Sequence, residues 1–138
     1  MEPLIAEIAA IVGALRQPDP IRRVDEAFRR IVPLLLAREA QLTIMLAITL
    51  GRSLRENLAG AAPLQSVSWI DAFDALLEPL RPRVPSRTYV LMTRSISALL
   101  GIEVLFVFKD ACDGDPARTV LAARGAATAM VRGFLQQT

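Results

Sequence analysis

The chain has 138 residues, of which 53% are hydrophobic, and its sixteen basic and fourteen acidic residues leave a formal net charge of +2. This length suits one globular domain, and the near balance of charge gives no electrostatic argument for a nucleic-acid-binding surface. The single cysteine, Cys112, excludes an internal disulfide. Because no secretory signal pattern opens the chain either, we expect a cytoplasmic protein.

Two amphipathic helices are predicted at the start of the chain. The first lies within residues 1–16, where apolar residues follow the i, i+3, i+4, i+7 pattern of one helix face. The second begins after Asp19, which can cap it, with Pro20 in its first turn. Its apolar stripe consists of Ile21, Val24, Phe28, Ile31 and Val32. We expect Pro33 to disturb this helix near its end.

The polar face of the second helix carries Asp25, Glu26, Arg29 and Arg30. The basic cluster of Arg22, Arg23, Arg29 and Arg30 can suggest nucleic-acid binding. The acid-to-base spacing of four residues instead predicts two ion pairs within a solvated helix.

Four further helices complete the prediction. Residues 38–57 form a third helix with apolar residues on two faces, which predicts that neighbours wrap it on most sides. A fourth begins near Ser68, whose spacing to Asp71 resembles a capping box, and extends to Leu80. A long fifth helix runs from Ser86, as its cap, to about Ala111. Gly114 ends it, and Asp115 with Pro116 opens the sixth and last helix. The prediction is a single all-α domain over residues 1–138, an orthogonal bundle of about six helices without strands.

Catalytic signals are missing from the sequence. There is no histidine, no cysteine pair, no glycine-rich phosphate loop and no nucleophile elbow, so we predict no enzyme, no metal site and no cofactor. The longest apolar run, residues 96–108, is too short to span a membrane and contains Glu103, so no membrane partner is expected. A buried Glu103 would need a polar partner or a proton.

The last two helices, within residues 86–137, suggest a subunit interface. Ala122, Ala126, Ala129 and Gly133 form a stripe of small residues beside the core-facing stripe of the last helix, and small side chains allow another helix to approach closely. With Leu105 and Phe108 they are the predicted dimer interface, in which both helices pair across a twofold axis as a four-helix bundle. The alternative is that alanine is only a good helix former on an exposed face.

The segment "ALLGIEVLFVFKDACDGDPARTVLAARGAATAMVRGFL", residues 98–135, joins a long helix, a short Asp/Gly/Asp-Pro turn and an alanine-rich last helix. This arrangement resembles the C-terminal part of TetR-family transcriptional repressors, and the order of the upstream helices agrees with that family. The resemblance implies a homodimer that holds a small, usually apolar effector in each subunit.

Candidate residues for such an effector pocket are apolar or aromatic, with a few polar groups among them. They are Met45, Thr49, Trp69, Phe73, Tyr89, Met92 and Thr93. Methionines and aromatic residues at helical spacing are also typical of an ordinary core. Each of these residues can therefore be interpreted either as a ligand contact or as a core residue.

In TetR-family proteins a three-helix domain with a helix-turn-helix reads DNA, and nothing between Met1 and Leu15 resembles it. The first helix here resembles the connector that follows that domain. Either the sequence begins at an internal position of a longer chain, or the natural chain has no DNA-binding domain. We therefore expect that these residues do not contact DNA and that any contact belongs to a domain outside them. The alternative function is a stand-alone helical dimer that binds small molecules or proteins and has no role in transcription.

Overall fold

The computed structural model describes residues 2–58 and 70–137, including all of their side chains except those of residues 2, 70, 71, 102 and 103. These residues form seven α-helices, one 3-10 helix and no strand. The elements are α1 (Glu2–Ala14), α2 (Pro20–Ala37), α3 (Glu39–Leu58), α4 (Ile70–Leu77), the 3-10 helix Glu78–Arg83, α5 (Ser86–Leu99), α6 (Ile102–Ala111) and α7 (Pro116–Gln136). The prediction of an all-α chain is confirmed for this part, with seven α-helices instead of six.

The core is built around the packing of α2 on α7. Ala27 of α2 and Ala123 and Ala127 of α7 are fully buried, and small side chains let two helix backbones lie close together. α5 and α6 also pack on α7, while α1 and α4 pack on each other and on α2. The predicted apolar stripes of the first, second and last helices face this core.

Both predicted Asp-Pro helix starts are confirmed. Asp19 Oδ1 accepts hydrogen bonds from the backbone N–H groups of Ile21 (2.9 Å) and Arg22 (3.1 Å) at the start of α2. Asp115 Oδ1 does the same for Ala117 (3.0 Å) and Arg118 (3.5 Å) at the start of α7. Each carboxylate satisfies N–H groups that have no partner within the helix.

The predicted stop at Gly114 is also confirmed. Gly114 has φ +74°, and its N–H donates to the carbonyl of Lys109 at 2.8 Å, which closes the end of α6. A left-handed backbone suits glycine because it has no Cβ.

The long fifth helix of the prediction is wrong, because the structure divides it into α5 and α6. Gly101 leaves the helical region with φ −59° and ψ 143°, and the helices on either side are bent by 57°. Ser86 is also not a cap: it is the first helical residue, and Pro85 precedes it without a side-chain capping bond. α4 ends at Leu77, before the predicted Leu80, and its predicted cap Ser68 lies outside the described residues.

Pro33 does not end α2, which continues to Ala37 and turns at Arg38. α3 then leaves at 79° to α2. The prediction that neighbours wrap α3 is wrong. Only Leu42 of α3 is buried, and the helix packs on α2 and α6 near its N-terminus, where Lys109 forms an ion pair with Glu39.

One of the two predicted ion pairs within α2 is present, with Arg30 Nη2 at 2.8 Å from Glu26. Asp25 instead binds Arg124 of α7, which donates to both of its carboxylate oxygens at 2.8 and 2.9 Å. These bonds lower the pKa of Asp25, although partial burial opposes the shift. The bidentate pair therefore joins the two central helices at the edge of the core.

Arg23 connects the ends of two other helices. Its guanidinium donates to the carbonyls of Leu76 (2.7 Å) and Ala75 (3.2 Å) at the end of α4, and to that of Leu15 (3.1 Å) just after α1. These carbonyls lie at the C-terminal ends of the helices, where no N–H group within the helix is available to bond them.

No described helix is by itself long and apolar enough to cross a membrane. The pairs α2 with α3 and α5 with α6 reach that length and composition only together, across their bends of 79° and 57°.

Candidate functional site

Four of the predicted pocket residues lie on α4 and α5 in the common core, where α5 packs on both α4 and α7; they are named here the α4–α5 cluster. Phe73 comes from α4, whereas Tyr89, Met92 and Thr93 share the buried face of α5, and all four are at most 3% exposed. Their spacing of three and four residues places the α5 members on one side of the helix.

The other predicted pocket residues are placed elsewhere. Met45 and Thr49 are half-buried on α3, which packs on α2 and α6 and not to a comparable extent on α4 or α5 in the described chain. Trp69 lies outside the described residues. The structure therefore does not bring Met45 and Thr49 to the α4–α5 cluster, because α3 turns away at the end of α2.

Tyr89 is anchored at one end of this cluster. Its hydroxyl donates to the carbonyl of Asp74 at 2.8 Å, and the guanidinium of Arg81 lies 4.5 Å from the centre of its ring. Burial raises the pKa of Tyr89, and the nearby charge of Arg81 partly opposes the shift. The phenol is therefore neutral and already hydrogen-bonded, so Tyr89 can act as a wall of a pocket rather than as its polar contact.

Thr93 is the polar group that stands out. Its Oγ1 is buried, and it is the one such side-chain atom in the described part of the chain that has no hydrogen-bond partner. Leaving a buried hydroxyl unpaired costs about 1–3 kcal/mol. The sequence placed Thr93 among the candidates, but no sequence signal indicates that its hydroxyl is unpaired.

Other helical hydroxyls show what Thr93 lacks. Thr43, Ser95, Thr119 and Thr128 each donate to the carbonyl four residues earlier, at 2.7–2.9 Å. The equivalent acceptor for Thr93 would be the carbonyl of Tyr89, and that bond is not made. The Thr93 hydroxyl therefore has no hydrogen-bond partner among the described residues.

A groove that the sequence did not indicate lies between the end of α2 and the start of α7. It is open to solvent, has a volume of about 470 Å³ and is almost entirely apolar. Its lining is Pro33, Leu36, Ala37, Pro116, Ala117 and Val120. It contains none of the predicted ligand residues, and the proline, leucine, alanine and valine side chains around it offer no polar group that would orient a ligand.

The predicted dimer residues are not all at the surface. Leu105 is only 3% exposed and belongs to the core of its own subunit, so it has almost no surface to offer a partner. Phe108, Ala122, Ala126 and Gly133 are half-buried, and Ala129 is exposed. A Cβ added at Gly133 would meet no atom within 4 Å, so this side of α7 has room for another helix.

The described residues contain no group of three or more cysteine, aspartate and glutamate side chains that could hold a metal ion. The side chain of Glu103 lies outside the described side chains, so its predicted partner stays a prediction.

No protein-family model, curated protein or solved structure matches the chain. A functional assignment therefore depends on the geometry of the chain itself.

Proposed function

We propose that this chain is the effector-sensing and dimerisation domain of a TetR-like transcriptional repressor. It holds a small apolar molecule in the α4–α5 cluster and controls DNA binding by a helix-turn-helix domain outside these residues. The observation that carries the proposal is the unpaired hydroxyl of Thr93 within an apolar and aromatic core. Ligand pockets combine such walls with a few polar groups that fix orientation.

A ligand with one polar atom would satisfy Thr93 while it buried its apolar part against Phe73 and Met92. The gain combines removal of apolar surface from water with a hydrogen bond that the free protein cannot make. To act as an effector, the ligand must have different affinities for two arrangements of the helices. α4 is well placed to respond because it carries Phe73 and packs directly on α1, the helix that resembles a connector to a DNA-reading domain.

The dimer in this proposal uses α6 and α7. Five predicted interface residues have surface available: Phe108, Ala122, Ala126, Ala129 and Gly133. α7 reaches both the α2 side and the α5 side of the core, so a twofold contact through α7 would connect the two pockets through one helix in each subunit.

The experiment compares two buried threonines that differ in one bond. Thr93→Val removes an unpaired hydroxyl, and we expect it to raise the free energy of unfolding by about 1 kcal/mol. Thr119 is equally buried, but its hydroxyl donates to the Asp115 carbonyl at 2.8 Å, so Thr119→Val should lower stability by a similar amount. Urea unfolding of the ligand-free proteins measures both.

The same two variants test binding. Thermal shifts are measured with a panel of aliphatic and aromatic alcohols against the wild type, Thr93→Val and Thr119→Val. We expect stabilising alcohols to lose most of their effect on Thr93→Val and to keep it on Thr119→Val. Equal shifts for all three proteins would contradict the pocket assigned to Thr93.

The alternative is a stand-alone helical dimer that binds small molecules or proteins without a role in transcription. The apolar exposed side of α3 favours it, because such a surface suits a protein contact. The coding sequence directly upstream of Met1 separates the two functions. An in-frame helix-turn-helix supports the repressor, and an unrelated upstream sequence supports the alternative.

A further inference from the structure

α3 directs most of its large apolar side chains away from the body of the protein. The side that faces the body carries Leu42 and Met45, but also the half-buried polar residues Thr49, Ser53 and Glu56. The opposite side carries the large apolar residues Ile44, Ile48, Leu50, Leu54 and Leu58, which are 55–80% exposed. A helix normally buries its apolar side, and no described residue covers the outward side of α3, so this side suits a partner outside the subunit.

The middle of the outward side of α3, from Ile44 to Leu54, reads nearly the same in both directions along the helix, whereas Leu58 has the exposed Ala40 as its counterpart. Counted from Thr49, Ile48 matches Leu50, Ala47 matches Gly51 and Ile44 matches Leu54. The exposed fractions agree as well: 55% and 56% for the inner pair, and 62% and 61% for the outer pair. A twofold contact between antiparallel helices requires such a pattern, because residue i then meets residue j and residue j meets residue i.

Small residues lie where two such helices would cross. Ala47 and Gly51 are one turn apart, and a Cβ at Gly51 would meet only the tip of the Arg55 side chain, at 3.8 Å. Their small size would let a second helix backbone approach, with the larger side chains interlocking on either side. In this register Arg55, which shares the outward side and lies six residues from Thr49, is opposite the exposed Thr43.

The area and the charge also favour a second copy. The five large side chains expose on the order of 500 Å² per chain, so a twofold pair that covered all of them would bury roughly the 1,000 Å² that a specific interface needs. A lipid surface is a poorer fit, because α3 carries two arginines and two glutamates and has no net charge to attract anionic lipid.

We propose that α3 binds the α3 of a second copy of this chain, antiparallel, across a twofold axis at the level of Thr49. This surface is separate from the α6–α7 face of the proposed function. Each surface can therefore fail without the other.

Sedimentation equilibrium at micromolar concentration tests this proposal. We expect the double variant Ile48→Glu with Leu50→Glu to have half the mass of the wild type, because four carboxylates would meet at the axis. The halving is expected whether or not α7 forms a second interface. Leu91→Glu, at an α5 side chain that is 50% exposed, is the matched control and should keep the wild-type mass. Circular dichroism checks that helical content is retained.

Disulfide trapping tests the register. In a Cys112→Ser background, Ala47→Cys with Gly51→Cys should oxidise to a covalent dimer linked from residue 47 to residue 51. Arg94→Cys with Ala98→Cys, also four residues apart and exposed on α5, should stay largely monomeric on a denaturing gel.

Three results would overturn the proposal. The first is a charged α3 variant with the wild-type mass, and the second is equal trapping of the two cysteine pairs. The third is a monomeric wild type. Binding of this monomer to phosphatidylcholine vesicles would then assign the outward side of α3 to lipid, and failure to bind them would assign it to another protein. Loss of association in Ala126→Leu, with the α3 variant unaffected, would support the α7 dimer of the proposed function and reject the α3 contact.

Discussion

α2 and α3 follow each other in the sequence and have similar lengths, 18 and 20 residues, yet they are buried very differently. α2 buries seven residues, whereas α3 buries only Leu42. α2 has a single apolar stripe that fits between α1, α4 and α7. The apolar residues of α3 lie on two sides, and one of those sides has no neighbour among the described residues. The comparison shows that apolar content does not determine burial, because the path of the chain decides which side of a helix meets the core.

The largest expected difference between these helices is in the cost of deleting an apolar side chain. Phe28→Ala in α2 should lower the free energy of unfolding by about 3–5 kcal/mol, because Phe28 is fully buried. Leu54→Ala in α3 should change it by less than about 0.5 kcal/mol, because Leu54 is 61% exposed. Urea unfolding in dilute protein, below any self-association, measures both. A large cost for Leu54→Ala under those conditions would mean that the subunit itself covers α3.

A smaller difference concerns how each helix is tied to the body by charge. The bidentate bond from Arg124 lowers the pKa of Asp25 on α2, so the pair stabilises the fold above the ordinary carboxyl pKa and loses this effect as pH falls through the lowered value. Asp25→Asn should cost about 1 kcal/mol near pH 7, because the pair is partly exposed. Urea unfolding in strong acid should show no difference from the wild type. A cost that persists in acid would point to packing instead of charge.

The smallest effect is expected at the corresponding pair on α3, Glu39 with Lys109. Both side chains are about one-third exposed, so Glu39→Gln should cost only about 0.2–0.5 kcal/mol, and high salt should remove the difference. The measurement is urea unfolding at low and high salt. A cost above that of Asp25→Asn would show that this pair, and not Leu42, anchors α3 to the body.

The starts of α2 and α7 and the end of α6 were predictable because their causes are local. Asp19 and Asp115 each cap a helix with a proline directly after them, and Gly114 adopts the positive φ that ends α6. The division between α5 and α6 was missed because the apolar pattern continues through it. Gly101 was the available signal, since glycine inside a helical pattern weakens the helix.

The positions of helices relative to one another were less predictable. The buried group of Phe73, Tyr89, Met92 and Thr93 follows from periodicity within α4 and α5. Met45 and Thr49 were assigned to the same pocket, but that assignment depends on the 79° turn after Arg38, which no periodic pattern encodes. The unpaired hydroxyl of Thr93 depends in turn on how α5 meets its neighbours, which is information that only the packed chain contains.

The guanidinium of Arg23 has a mechanical consequence. To slide α1 past α4, the protein would have to break bonds to the carbonyl of Leu15 or to those of Ala75 and Leu76, since one rigid planar group holds both helix ends. Hydrogen bonds from a charged group contribute about 1.5–3 kcal/mol each, several times thermal energy. The bonds of Arg23 therefore resist sliding of α1 against α4, because such a movement requires at least one of them to break.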